Sequence, residues 1–372
     1  MKIVIIGRGN AGCISALHYA YHKKSLNTKV EIELRYDSTI PPVPTGQGTT
    51  LEFGNVLFKN FQLNYLQKFP TTMKTGIMYE NFTPEDIFHP FPVGNYALHF
   101  EPKEFQDFVC SNLNVNFKEI DENVKDYNSI DADYIIDCGG SKNNNPEDYY
   151  PLTNPLNCAL LADLPKKEND VLYTRSVAHE NGWCFYIPLP NRTSLGYLFN
   201  TEITSTEDAI SNFQKNFNVE KINRVFPFKQ YVAKNPIIDD RVLLNGNKLF
   251  FLEPLEATAM SAYIIFNRFY YDYMFNNTNK EKVTHSIFKY VQEIQNFILW
   301  HYSNGSIYKT KFWEYGKNLW NQSNKDDIQR IIKMVKDMSK EDVSKSIDEP
   351  FSYGQWEKWN FKVWLDGINK NI

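Results

Sequence analysis

Cysteine is scarce in this chain of 372 residues, and its placement excludes cross-linking: Cys13, Cys110, Cys138, Cys158 and Cys184 are odd in number and widely spaced. No CxxC pair occurs, so neither a disulfide framework nor a structural zinc is expected, and a reducing compartment is favoured. The seven histidines are scattered without an HExxH or comparable spacing, which leaves no metal centre to expect. A basic field is missing too. Lys and Arg number 40 against 44 Asp and Glu, a net charge of −4, so neither nucleic acid nor an anionic membrane is an expected partner. No apolar run reaches the length that spans a bilayer. The opening MKIVIIGRGNAG runs directly into a strand and a glycine turn, unlike a signal peptide. The expectation is a soluble, cytoplasmic protein, long enough to bury a large core without a staple.

What is plentiful is aromatic. Phe, Trp and Tyr make up 15% of the chain, and six of the seven tryptophans fall between Trp300 and Trp364. Such residues supply buried area and flat walls for ring-shaped ligands. Along the chain, Lys2 to Ile6 reads as a buried strand, Ser15 to Tyr21 as a helix and Val30 to Leu34 as a second strand. IPPVPTGQGTT (residues 40–50) is a loop on composition, and Leu51 to Phe69 is helical. Then come a strand (NYALHF), a helix (Lys103 to Leu113), a strand (NVNF, 114–117) and a further apolar run, Tyr134 to Asp137. From 157 to 235, aromatic and β-branched segments alternate with turns, with a hairpin pairing Trp183 to Leu189 with Ser194 to Phe199. Val242 to Phe251 is strand-like, and everything after Ser261 reads as helix.

GRGNAG fits G-x-G-x-x-G between a strand and a helix. Gly7 permits the tight turn, Gly9 lets the backbone approach a pyrophosphate, and Gly12 lets helix and strand pack closely. Asn10 and Ala11 open the helix whose N-terminus would hold the phosphates. The acid on the ribose is expected after the second strand, with Asp37 best placed and Glu33 the alternative. DADYIIDCGG (131–140) reads as a second strand ending in an Asp-x-Gly-Gly turn; Asp137 and Gly139 would close a dinucleotide site on the side opposite the first glycine turn, as such a strand does in flavoproteins, or simply end a buried strand.

Four stretches together resemble the flavin-dependent halogenases of the tryptophan halogenase family, and are most similar to its short phage-encoded members. They are GRGNAG; FPTTMKTGIMYENF (69–82); WCFYIP (183–188), a version of W-x-W-x-I-P; and EPLEATA (253–259), similar to D/E-P-L-E-S-T-G. The fold this implies is α/β, an FAD-binding Rossmann-like domain of the glutathione-reductase and aromatic-hydroxylase type. Residues 1–260 would form it, with an interleaved β-rich layer at about 51–96 and 157–235, and 261–372 would be a helical part covering the substrate pocket. The implied chemistry begins with reduced FAD, oxygen and a halide (chloride, bromide or iodide) giving hypohalous acid. This passes to Lys74, a role that suits a lysine shielded from water. Glu256 would assist by taking the proton from the cationic ring intermediate. By the same resemblance Thr258 and Ala259 bind the halide, Thr49 lies in the flavin loop, and Trp183, Phe185, Ile187 and Pro188 shape a channel. Trp313, Trp356 and Trp359 are candidate pocket walls.

Three departures from the family pattern stand out: Phe185 for the second tryptophan, Ala259 for a glycine, and Gln47 in a flavin loop where relatives carry Glu. The reduced C-terminal part argues against tryptophan as the substrate, leaving some other electron-rich aromatic small molecule. No second nucleotide fingerprint is present, so a separate NAD(P)H flavin reductase is the implied partner. An aromatic monooxygenase of the same fold and a flavin-binding protein without catalysis are the alternative readings.

Overall fold

KIVII forms a strand because five consecutive apolar or stem-burying residues suit a parallel strand covered on both faces. The computed structural model describes residues 1–25, 29–92, 94–113, 117–345 and 351–369. In chain order they run β1 (Lys2–Ile6), α1 (Asn10–Ser25), β2 (Glu31–Tyr36), β3 (Gln47–Gly48), α2 (Leu51–Phe61), α3 (Tyr65–Lys68) and β4 (Thr71–Lys74). Then follow β5 (Gly76–Glu80), β6 (Ile87–Pro90), β7 (Ala97–Phe100), α4 (Pro102–Leu113), β8 (Lys118–Asp121), β9 (Tyr134–Asp137) and β10 (Tyr149–Pro151). The middle holds β11 (Cys158–Pro165), β12 (Thr174–His179), β13 (Gly182–Pro188), β14 (Arg192–Phe199), α5 (Thr206–Phe217) and β15 (Arg224–Pro227). Last come β16 (Tyr231–Ala233), β17 (Ile237–Ile238), β18 (Val242–Leu244), β19 (Phe250–Phe251), α6 (Ala259–Phe275), α7 (Lys280–His301), α8 (Lys311–Gln322), α9 (Asp326–Lys336), α10 (Lys340–Lys345) and α11 (Lys358–Asn369). Of the expected strand NVNF, residues 114–116 lie outside the described residues.

The chain divides into two compact units. The first comprises residues 1–72, 97–151 and 231–288. Its main sheet has the order β17-β18-β9-β1-β2-β8, parallel except for β17. α1 packs against α2, α4 and α6, and every residue from Ala11 to Ala20 is buried. A helix covered all round has no need of an amphipathic stripe, and its sequence shows none.

The second unit comprises residues 73–96, 152–230 and 289–372. Seven strands in the order β15-β11-β14-β13-β12-β5-β6 form its sheet, antiparallel except where β12 runs parallel to β5. One face of β13 and β14, with Cys184, Tyr186, Leu195 and Tyr197, packs on Ala209 and Phe213 of α5.

Two segments differ from the sequence expectation. α5 interrupts the stretch 157–235 expected to be all strand and turn; Ser205 Oγ caps it by accepting from the Asp208 N–H at 3.1 Å, and Asn218 ends it in the left-handed conformation. The Ser-x-x-Asp spacing and the Ala209–Phe213 pair were its signals. The run 242–251 is broken after Leu244, where the Asn245 side chain accepts from the Gly246 N–H at 2.7 Å and starts a 3-10 turn. Gly246 is required there, since a Cβ would lie 2.5 Å from the Ala11 Cβ at the start of α1. Among the described residues no helix is long and apolar enough to cross a membrane.

Candidate active site

The glycine turn of the first unit is set by backbone crowding. Gly7 takes φ +95°, and a Cβ on it would lie 2.6 Å from the Cys138 carbonyl oxygen. On Gly12 a Cβ would fall 1.8 Å from the Gly7 carbonyl oxygen, so helix and turn meet only if this residue is glycine. Gly9 differs: a Cβ there would meet nothing within 4 Å, which leaves that side of the turn open to a ligand. The first backbone bond of α1 runs from the Cys13 N–H to the Gly9 carbonyl at 2.9 Å. The amides of Asn10, Ala11 and Gly12 therefore have no acceptor within the helix. No acidic residue occupies the first turn, so the dipole end stays receptive to an anion. An open cradle, free amides and no opposing charge fit a dinucleotide's pyrophosphate.

The expected acids are all engaged. Glu33 is buried between Lys2 at 3.1 Å and Arg35 at 2.9 Å, so it ties β2 to its neighbour β1. Asp37 stands just past β2 and accepts from the Thr39 N–H at 2.9 Å and from Asn123 at 2.9 Å. Hydrogen bonds from Thr39, first of all, hold its carboxyl below the usual range. Asp137 accepts from the Gly139 N–H at 2.7 Å and from the Tyr127 hydroxyl at 2.5 Å, which shapes the turn after β9. Burial, and then Asp137, push the Tyr127 phenol well up. The Thr49 hydroxyl is likewise taken: it donates to the Leu98 carbonyl at 3.1 Å and accepts the Leu98 N–H at 2.9 Å. Gln47 pairs with Phe100 in the β3–β7 ladder.

EPLEATA forms a tight turn in the same unit. Glu253 and Glu256 are buried, and the Ala257 N–H closes the turn on the Pro254 carbonyl at 2.9 Å. Ala257 takes φ +53°, uncommon for a residue with a Cβ. Thr258 follows in the right-handed helical region (φ −73°, ψ −21°) as the cap of α6. A left-handed residue followed by a right-handed one turns successive N–H groups into a concavity suited to anions. Ala259 opens α6, whose first turn also lacks an acid.

Lys74 belongs to the second unit. It is the last residue of β4, with 0% of its surface exposed, and its ammonium lies 5.6 Å from the centre of the Phe91 ring. Flanking bonds fix its backbone: the Thr75 N–H and hydroxyl donate to the Leu172 carbonyl at 2.7 and 2.8 Å, and the Phe91 N–H donates to the Thr75 carbonyl at 2.8 Å. Gly76 pairs with Pro90, and a Cβ on it would lie 2.5 Å from the His89 carbonyl oxygen. The glycine of K-x-G-I thus lets β6 lie close beside the lysine. The aromatic-Glu-Asn that follows is structural. Tyr79 packs on His301 and Trp364, Asn81 takes φ +63°, and Glu80 forms a two-pronged ion pair with Arg175 at 2.5 and 2.7 Å. Glu80→Leu is expected to cost about 2 kcal/mol by stranding a half-buried guanidinium, read from urea unfolding.

Trp183, Phe185 and Ile187 share the face of β13 opposite α5. The Trp183 indole N–H donates to the Tyr302 hydroxyl at 3.0 Å. Phe185 pairs directly with Gly196, and a Cβ on Gly196 would fall 2.1 Å from the phenyl ring. The ring fills the place of the missing side chain. Gly196→Ala is expected to lower stability by about 2 kcal/mol through overpacking, measured as a lower melting temperature. Pro188 ends β13 opposite Thr193. Trp313 is buried, with its indole N–H bonded to the His179 carbonyl at 2.7 Å, and Trp356 stacks on Phe297 at 3.9 Å. Both are buried, whereas Trp359 lies half-buried beside the His89 ring. Sequence reading missed Tyr302, Tyr127 and Arg175 as partners, since long-range pairing leaves no local signal.

Among the described residues no group of three or more His, Cys, Asp or Glu is arranged to hold a metal. The sequence profile of the tryptophan halogenase family matches residues 2–120 and 95–364. Tryptophan 7-halogenase KtzQ of Kutzneria sp. (strain 744) is 23% identical over 310 residues, 74% of this chain and 57% of the relative. Tryptophan 7-halogenase RebH of Lentzea aerocolonigenes is 22% identical over 73% of this chain and 57% of its own length. The chain thus spans little more than half of these relatives. Among solved structures, a tryptophan halogenase from Shewanella frigidimarina NCIMB 400 superposes with a TM-score of 0.82 at 18% identity, covering 99% of this chain and 88% of that one. BrvH, a flavin-dependent halogenase from Brevundimonas sp. BAL3, gives 0.82 at 16% identity, over 99% and 90%. The α/β fold expected from the sequence is the fold of these structures.

Proposed function

Because the chain belongs to the tryptophan halogenase family, we propose that it is a flavin-dependent halogenase acting on an electron-rich aromatic small molecule. Residues 7–12 would hold the pyrophosphate of FAD, with Asp37 at the ribose and Thr49, Asp137 and Gly139 shaping the loops around the cofactor. Reduced FAD, supplied by a separate NAD(P)H flavin reductase, would furnish with oxygen the oxidising power that turns a halide into hypohalous acid. Thr258 and Ala259 would receive the halide on their backbone amides at the start of α6.

The observation that carries this reading is the complete burial of Lys74 in a K-x-G-I segment whose glycine and flanking hydrogen bonds fix its backbone. A lysine side chain withheld from water can hold hypohalous acid through its nitrogen without losing it to solvent. Glu256, also buried, takes the proton that leaves the ring when halogen replaces hydrogen, and its charge stabilises the cationic ring. The face of β13 bearing Trp183, Phe185 and Ile187 would line the channel.

The test is direct. Purified protein is supplied with FAD, a flavin reductase, NADH, air and each halide in turn, with phenols, indoles and anilides as acceptors, and products are read by mass. Halogen in place of hydrogen on one acceptor class is the expected result; bound flavin with no halogen incorporation into any acceptor would overturn it.

A further inference from the structure

The first unit has a second concave site, away from the glycine turn. α1, α2 and α6 border a half-open cavity of about 290 Å³, close to the lower size of pockets that hold small organic ligands. His18 is on its lining, about 12 Å along α1 from the phosphate-receiving end. Leu17, Val56 and Ile264 supply apolar lining, and Lys59 and Arg268 supply positive charge from two different helices.

Two imidazoles complete it. His22 stacks on Tyr271 with ring centres 4.2 Å apart, and His18 lies 4.6 Å from His22. Nε2 of His18 is buried and has no hydrogen-bond partner among the described residues, a vacancy that folded proteins seldom leave. A metal is a poor match, because two cations adjoin the histidines and no third ligand is arranged with them. Asp272 is the carboxylate on the rim, and it accepts from Asn276 at 2.8 Å. Arg268 also pairs with Glu52, and Lys59 lies over the Tyr21 ring.

We propose that this cavity binds a small organic anion, a carboxylate or phosphate on a flat or apolar body, with Lys59 and Arg268 receiving the charge. Leu17, Val56 and Ile264 hold the body, with the His22 imidazole on the lining beside it. Burial and the neighbouring His22, Arg268 and Lys59 keep the His18 imidazole well below its usual range, and burial with Lys59 lowers that of His22. An anion offsets those cations, so binding draws protons onto the imidazoles and tightens as pH falls into the acid range below the usual imidazole value.

Calorimetric titration of the full chain with benzoate tests this, with benzyl alcohol as the neutral counterpart. Benzoate is expected to bind saturably and benzyl alcohol not. Lys59→Gln and Arg268→Gln, both exposed side chains, should each weaken benzoate about tenfold at an unchanged melting temperature. Binding heats in two buffers of different ionisation enthalpy should report proton uptake. Absent saturation, equal binding of the alcohol, or benzoate affinity indifferent to both substitutions would each overturn the proposal. None of these readouts depends on halogenation.

Discussion

Lys74→Ala is expected to reduce halogen incorporation by at least about a thousandfold, the scale on which loss of a group touching the reacting atoms acts. A surface lysine would release hypohalous acid to solvent, whereas Lys74 has no exposed surface and its backbone is tied at Thr75 to Leu172. Alanine would also leave a void, so Lys74→Met, which keeps most of the volume and removes the nitrogen, is the informative companion. Met is expected to match Ala in lost product while unfolding at nearly the native urea concentration. A Met variant that still halogenates would assign the lysine a packing role alone. Product mass per unit of reduced flavin consumed, beside urea unfolding, separates the two effects.

The second large effect falls on the glycine turn, where Gly12 and Gly9 should behave oppositely. A Cβ on Gly12 lands 1.8 Å from the Gly7 carbonyl oxygen. Gly12→Ala must push α1 off the turn, and a loss of about 3 kcal/mol or more is expected. A Cβ on Gly9 touches nothing within 4 Å, so Gly9→Ala should leave unfolding unchanged. Its methyl instead occupies the open side of the turn, and FAD affinity should drop about tenfold or more. Urea unfolding and flavin fluorescence on both variants check this. Loss of stability in Gly9→Ala, or undiminished FAD binding, would contradict the cradle.

Much of this was legible in the sequence because it is written locally. KIVII followed by GRGNAG is a strand, a turn and a helix on chemistry alone, and the structure starts α1 at Asn10. The buried run 134–137 and the hairpin at 183–199 were equally plain. The resemblance in 69–82 and 253–259 singled out Lys74 and Glu256, and both side chains are buried. What stayed hidden depends on distant partners. Nothing near Asp137 announces that Tyr127 takes its carboxylate, nor that Lys2 on the neighbouring strand takes Glu33. Trp313 and Trp356 read as candidate pocket walls because aromatic residues suit cores and pockets alike; their contacts with the His179 carbonyl and the Phe297 ring had no local signal. The helix at 206–217 carried a signal, the Ser205 cap, which a run of β-like segments on either side obscured.

The central claim is that oxidising power from flavin and oxygen ends as halogen on the product, not as oxygen. One turnover experiment under isotopically heavy oxygen gas, with bromide present and an acceptor that the protein converts, tests it most directly. The account predicts a product with the paired bromine isotope masses and no heavy oxygen, absent in Lys74→Met. A product that gains heavy oxygen and no bromine would contradict it and make the protein a hydroxylase on the same fold.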